Sequence, residues 1–319
     1  MGEGPSRAIS TRRLSVAALT YRRNADLSEL LPRLVEQVES ISASGVSTRI
    51  VIVDNDPDGG ARQLVEQFAA TAGVTVMYVH EPEPGIAAAR NRVLSECSSE
   101  DLLVFIDDDE RPHDGWLHHL LTSYDRLDRP TALFGPVISV FDAEPEPWVV
   151  AGGFFDRRRV PTGTPVAVGA TNNVLLDLHQ VRAFGLSFDQ RLGISGGSDT
   201  LFTKQVVWSG GRMAWCDEAV VDDRVPAARS TRDWVLRRSL RSGNSWSRTT
   251  LMTEDRGVLT RLRLTSSGLL RIGGGAARFL IGAVTRSTRH RAKGLRSIAR
   301  GTGMATGAWG YSYLEYRRT

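Results

Sequence analysis

The stretch "DLLVFIDDDERPHDGW", residues 101–116, decides how this chain is read. Leu102 to Ile106 form an unbroken apolar run, which fits a strand buried on both faces and is too short for a helix. The run leads straight into Asp107, Asp108 and Asp109. Adjacent carboxylates repel one another, so a buried strand ending in three of them implies something positive at that end. The plainer alternative is that one or two of them cap the next helix or are merely solvated. Asp114, just before "GWLHHLL", suits the capping role better.

Working outward, strands and helices alternate. "LSVAALTY" (14–21) reads as a strand, and "LSELLPRLVEQVESI" (27–41) as a helix with Pro32 in its first turn. "TRIVIVDND" (48–56) is a second strand, "ARQLVEQFAATAG" (61–73) a helix closed by Gly73, and "VTVMYVHE" (74–81) a third strand. "IAAARNRVLSEC" (86–97) is the helix that precedes the 102–107 strand. This rhythm predicts an α/β fold with a mainly parallel, Rossmann-like sheet flanked by helices. After Thr131 the rhythm changes. "ALFGPVISVF" and "GRMAWCDEAVVDD" are strand-like, 142–168 reads as a long loop or lid, and "TRDWVLRRSLRSGNSW" (231–246) as an arginine-rich helix. The expected organisation is a flexible tail over 1–13, one domain over 14–250, and a basic, amphipathic helical extension over 251–319.

Charge is unevenly distributed. Residues 256–319 hold 13 of the 40 Lys+Arg and one of the 36 acids, a balance of +12, which leaves −8 for the first 255 residues. A basic extension on an acidic domain points to an anionic surface. Two distant cysteines, Cys97 and Cys216, make neither a disulfide framework nor a zinc site, and the six histidines lack zinc spacing. The expected location is the cytoplasm, with a peripheral contact on the inner face of the cell membrane.

In parallel sheets ligands bind beyond the carboxyl ends of the strands. Asp54 and Asp56 close the second strand there, and Asp107–Asp109 close the fourth. Carboxylate oxygens are hard ligands suited to Mg²⁺ or Mn²⁺. The ordered pieces "TYRRN", "VDNDPD", "PEPGIAAARN" and "FIDDDERPHDGW", followed by "GATNNVLL", "GGSDTLF" and "VPAARSTRDWVLRRSLRSGNSW", resemble the family 2 glycosyltransferases, whose nucleotide-sugar domain has the GT-A fold.

That resemblance implies roles. Asp107 and Asp109 would form an Asp-x-Asp motif, Asp107 on ribose or metal and Asp109 on the metal, with Asp108 beside them at the donor. Thr20, Tyr21 and Asn24 would hold base and ribose, Asp54 would face the base, and Arg90 would reach the nucleotide. Asp223 would lie near the metal, and Arg238 and Arg241 would hold the diphosphate. Asp199 would be the base that deprotonates the acceptor hydroxyl, although this chain has Ser198 before it where many relatives have glutamate. Each residue also has a plainer reading: Tyr21 as core, Asp54 as a turn former, Arg90 as a surface arginine, Asp199 as a helix cap, the arginines as a solvated face. The implied enzyme is a metal-dependent, inverting glycosyltransferase. It would take a UDP-, GDP- or dTDP-sugar donor and a glycan, lipid-linked or small-molecule acceptor. Two other classes compete: an aspartate-dependent phosphatase or phosphotransferase, and a non-catalytic binder of anionic surfaces. In the phosphatase class the acidic strand usually comes first, whereas here it is fourth. Nucleic acid is not expected, because Trp309, Tyr311, Tyr313 and Tyr316 cluster at the end of the tail instead of alternating with its arginines.

Overall fold

The computed structural model describes residues 12–157, 159–193, 196–254 and 257–311. All but two residues of the expected 1–13 tail, and both Tyr313 and Tyr316, lie outside them. The first half builds a parallel sheet: β1 (Arg12–Thr20), β2 (Val46–Asp54), β3 (Val76–His80) and β4 (Leu102–Asp107), linked by α1 (Asn24–Ser40), α2 (Arg62–Ala69) and α3 (Ile86–Glu96). β8 (Asn173–Asp177), β6 (Ala132–Phe134) and β9 (Met213–Trp215) extend it to seven strands in the order β3-β2-β1-β4-β8-β6-β9. Only β8 runs antiparallel to its neighbours β4 and β6.

Register fixes the position of the acids. β1 lies between β2 and β4, with Thr20 opposite Asp54 and Leu19 opposite Asp107. Both acidic strand ends therefore reach the same edge. A second sheet of three strands, β5 (Glu110–Pro112), β10 (Val221–Val225) and β7 (Val137–Phe141), places Asp223 opposite Glu110. The single strands expected over "ALFGPVISVF" and "GRMAWCDEAVVDD" are thus each divided between the two sheets.

The period-two alternation of the strands supplies a core on each face. Val16, Ile50, Ile52 and Val104 meet Leu30 and Leu34 of α1 and Trp116 and Leu120 of α4 (Trp116–Arg126). Ala17, Val51, Val53 and Phe105 meet Val93 of α3 and Phe202 and Val206 of α7 (Ser198–Trp208). Each fully buried large side chain contributes roughly 1.5–3 kcal/mol. This burial explains Pro32. α1 starts three residues earlier than periodicity indicates, so Pro32 lies two turns inside the helix instead of in its first turn. An interior proline costs about 3 kcal/mol, which burial of Leu27, Leu30, Leu31 and Leu34 offsets. Asp114 does not cap α4. Gly115 is the N-cap, at φ 72°, and the Leu117 amide donates instead to the Gln37 side chain at 3.2 Å. α2 ends at Ala69, well before Gly73.

The C-terminal part is helical: α5 (Pro147–Gly152) and α6 (Leu178–Ala183) precede α7, and α8 (Arg232–Thr253), α9 (Val258–Val284) and α10 (Thr288–Gly307) follow it. α10 packs against α8, α9 and α5. Glycines set this packing. A Cβ on Gly303 of α10 would stand 1.9 Å from the carbonyl oxygen of Leu240 in α8, and one on Gly243 of α8 would stand 2.0 Å from that of Arg300. Among the described residues, no helix is long and apolar enough to cross a membrane.

Candidate active site

A cavity of about 890 Å³ opens at the carboxyl edge of the large sheet. One wall is acidic. Asp107, Asp108 and Asp109 come from the end of β4, Glu110 from β5 and Asp223 from β10. Burial and Asp109 push the Asp107 carboxyl up to about 7. Burial pushes Asp108 up to about 6 against the pull of Arg23. Glu110 is buried and raised well above the usual carboxylate range, first by desolvation and then by Asp107. Its oxygens accept from the Asp107 amide (3.1 Å) and the Asn172 side chain (2.7 Å), which holds the acidic turn in shape.

The facing wall is basic. Arg23, in the turn after β1, donates one nitrogen to Asp108 (2.9 Å) and to Asp109 (2.8 Å). Burial lowers its pKa, and the two carboxylates more than reverse that. Arg229 also reaches Asp109, at 3.2 Å. Arg157 pairs with Asp223, whose carboxyl burial raises and Arg157 lowers. Arg238 and Arg241 of α8 line the same space, and Arg238 stacks over Trp234 with its guanidinium carbon 4.9 Å from the ring centre. Arg237 points away, in an exposed pair with Asp233.

Asp199 lies in the first turn of α7, and Gly197, not Asp199, is the N-cap. Its carboxylate faces the cavity and carries no ion pair among the described residues. One oxygen accepts from the Thr200 amide at 2.7 Å, which leaves the other available. Ser198, where many relatives have glutamate, accepts from the buried Arg90 at 2.9 Å. Arg90 lies over Phe188 and also touches the cavity, so it joins α3 to the start of α7. Thr20 and Tyr21 line the opposite side. The Thr171 hydroxyl is buried at the cavity without a hydrogen-bond partner among the described residues, a state that a polar ligand would relieve.

The structure therefore brings together Thr20, Tyr21, Arg90, Asp107, Asp108, Asp109, Asp199, Asp223, Arg238 and Arg241. It does not bring Asp54 or Asn24 to the cavity wall. Asp54 is buried, and its oxygens accept from the Asp56 and Ala61 amides and the Tyr78 hydroxyl, closing the turn after β2. Asn24 donates to the Gly60 carbonyl and ties α1 to that turn. Sequence reading missed Arg23, Arg157, Arg229, Trp234 and Glu110. The adjacency of Arg23 to Tyr21 and of Glu110 to the aspartates was the available signal for two of them.

Among the described residues, no three His, Cys, Asp or Glu side chains are arranged to hold a metal ion. Guanidinium groups balance Asp109 and Asp223 instead. The donor set still fits a hard divalent ion. Mg²⁺ commonly takes one or two carboxylates and completes its shell with substrate phosphates and water, so the residues suit a metal arriving with a diphosphate and not a preformed cage.

Known proteins agree with this fold. The signature of the family described as "Glycosyl transferase family 2" matches residues 15–173. The chain is 33% identical over 242 residues to the succinoglycan biosynthesis protein ExoM of Rhizobium meliloti, covering 75% of each chain. Two solved structures share the fold: S. aureus TarS 1-349 in complex with UDP (TM-score 0.53, 15% identity, 91% of this chain and 90% of that one), and the mannosyltransferase PcManGT of Pyrobaculum calidifontis in complex with GDP-Man and Mn²⁺ (TM-score 0.54, 16% identity, 94% and 74%). Family signature, relative and fold agree: the chain belongs to glycosyltransferase family 2 and is a sugar-transferring enzyme with a GT-A fold.

Proposed function

We propose that this enzyme transfers one sugar, with inversion, from a nucleoside-diphosphate donor to an acceptor hydroxyl, and that it requires a divalent ion. The observation that carries this reading is the single cavity holding Asp107–Asp109 and the unpaired Asp199 together. Thr20 and Tyr21 contact the nucleoside, and Arg238 and Arg241 contact the diphosphate. Asp109, with Asp107 and Asp223 beside it, holds the metal, which when bound neutralises charge on the leaving diphosphate. Asp199 accepts the proton of the acceptor hydroxyl as that oxygen attacks the anomeric carbon from the face opposite the leaving group. Donor and metal load together, because Arg23 and Arg229 must release Asp109. The UDP and the GDP-mannose with Mn²⁺ bound by the two structural neighbours support this donor class. The decisive measurement is titration calorimetry with UDP, GDP and dTDP, each with and without Mn²⁺. One nucleotide should bind tightly only with the ion, and Mn²⁺ alone should bind weakly. Equal binding of every nucleotide with and without metal would overturn the reading.

The same reading places the enzyme on an anionic membrane surface through α9. Its buried positions are Leu264, Gly268, Gly275 and Gly282, while Leu259, Leu262, Leu269, Leu270, Leu280, Ile281 and Val284 are exposed. The helix thus turns glycines to the protein and its apolar stripe outward. Arg263, Arg271 and Arg278 are exposed on the same helix, which carries no acid. An exposed apolar stripe among cations is the composition of an interfacial helix. The acceptor expected there is a glycan on a lipid carrier.

A further inference from the structure

A second, smaller cavity of about 130 Å³ adjoins the first. The two share the wall formed by Arg157, Asp223, Arg229, Trp234 and Arg238. Its far side is Phe154, after α5, with Arg296 and Arg300 of α10. Its charges do not balance. Five arginines line it against one acid, Asp223. Asp223 is taken by Arg157, and Arg229 is taken by Asp109. Arg296 and Arg300 have no acidic partner among the described residues. Arg296 stands over Phe154, its guanidinium carbon 5.2 Å from the ring centre, which fixes it at the rim. Arg300 is half-buried, and its Nε is enclosed without a hydrogen-bond partner. Burial, then the neighbouring charges of Arg271 and Arg296, hold its pKa below the ordinary arginine value.

A half-buried Arg300 guanidinium repelled by its more exposed neighbour Arg296 is unfavourable without a counter-ion. Planar nitrogen forks match phosphate oxygens two at a time. The space is about that of four liquid waters, enough for a phosphate group and too small for a second nucleotide. We infer that this cavity is an acceptor subsite, in which Arg296 and Arg300 hold a phosphate ester carried by the acceptor. The inference rests on the transferase reading above and narrows the acceptor to phosphate-bearing molecules, whether lipid phosphates or soluble sugar phosphates. It also gives α10 a role at the reaction centre, although the helix begins some forty residues beyond Trp246, the last residue of the quoted motifs.

The test uses the full chain saturated with UDP or GDP and Mn²⁺, so that the donor site is filled. Farnesyl phosphate, glucose 1-phosphate and uncharged glucose are then titrated into the parent and into Arg296→Gln/Arg300→Gln. The parent should bind one or both phosphates and not glucose. Farnesyl phosphate binding alone points to a lipid carrier, and glucose 1-phosphate binding to a soluble acceptor. The double variant should lose about tenfold or more of that affinity and keep nucleotide affinity within about twofold. Unchanged phosphate affinity in the variant overturns the subsite. So does an equal loss of nucleotide affinity, which would assign both arginines to the donor. If the double variant fails to fold, Arg296→Gln at the rim gives the same comparison. If the parent binds no nucleotide, the transferase reading fails by itself, and phosphate binding to the metal-free protein still tests the cavity.

Discussion

The acidic wall of the active-site cavity comes from strands and their ends, while the basic wall comes from turns, loops and one helix scattered along the chain. The aspartates project from strand ends in a parallel sheet whose apolar side chains interlock on both faces. Of its arginines, Arg229, Arg238 and Arg241 follow Asp223, the last two on α8, which meets α10 by glycine-to-backbone contact beside a small apolar cluster of Leu251, Leu264 and Ala308. The sheet can set the acids from local pattern alone. Arg238 and Arg241 are set by the packing of α8 against α10. The site therefore joins an acidic half fixed by sheet register to a basic half fixed in part by helix packing.

The sharpest way to separate the halves is Asp199, which heads α7 and faces both walls. Asp199→Asn keeps shape and hydrogen bonding but cannot take a proton. Turnover should fall by about 10²–10⁴, while calorimetric donor affinity and melting temperature stay near the parent. A helix-start role alone predicts little change in any of the three. Near-parental turnover would remove Asp199 from the mechanism.

The docking of the basic half breaks at Gly303. A Cβ there meets the Leu240 carbonyl at 1.9 Å, so Gly303→Ala must push α8 and α10 apart. Overpacking of this kind costs typically about 1–3 kcal/mol, read as a melting temperature several degrees lower. Gly273→Ala on α9, where nothing lies within 4 Å, is the control and should raise stability slightly, by about 0.5–1 kcal/mol of helix propensity. Equal melting of the two variants would mean that glycine contact does not hold these helices.

A smaller effect is expected at the outward stripe of α9. Leu259→Gln/Leu270→Gln alters two well-exposed leucines, 83% and 77% accessible, so folding should survive. Co-sedimentation with vesicles containing phosphatidylserine should weaken about tenfold, and neutral vesicles should bind the parent poorly. Undiminished binding by the variant would reduce the contact to charge alone.

The acidic half was legible in sequence because strand ends are local: a short apolar run followed by Asp107–Asp109 specifies both element and edge. The ordered motifs then identified the fold. What stayed hidden was long-range. Arg23 beside Asp109, or Arg157 beside Asp223, follows from register and loop path, not from spacing. Asp54 lies off the cavity wall, and an acid at a strand end looks the same in sequence whether it faces a ligand or closes its own turn. The tail was read by its charge, while its organisation lies in which face of α9 carries glycine and which leucine.

The acidic wall also leaves a signature in stability against pH, the mildest of these effects and one that needs no substrate. Asp107 at about 7 and Asp108 at about 6, with Glu110 and Asp223 also raised, bind protons more tightly folded than unfolded. Between about pH 5 and pH 8 the folded state therefore carries more protons, and the stability of the metal-free protein falls as pH rises, by about 1.4 kcal/mol per pH unit for each extra proton. The carboxylates held low, among them Asp101, Asp125, Asp189 and Asp217, act in the opposite sense, but below that window. The melting temperature should drop by several degrees from pH 5 to pH 8 in the parent and by less in Asp108→Asn, which has one titrating group fewer. Adding Mn²⁺ with the preferred nucleoside diphosphate should reverse the trend, because a metal binds the deprotonated carboxylates. Superimposable curves for parent and Asp108→Asn would show that Asp108 does not titrate in this range, leaving Arg23 strong enough to keep it ionised throughout.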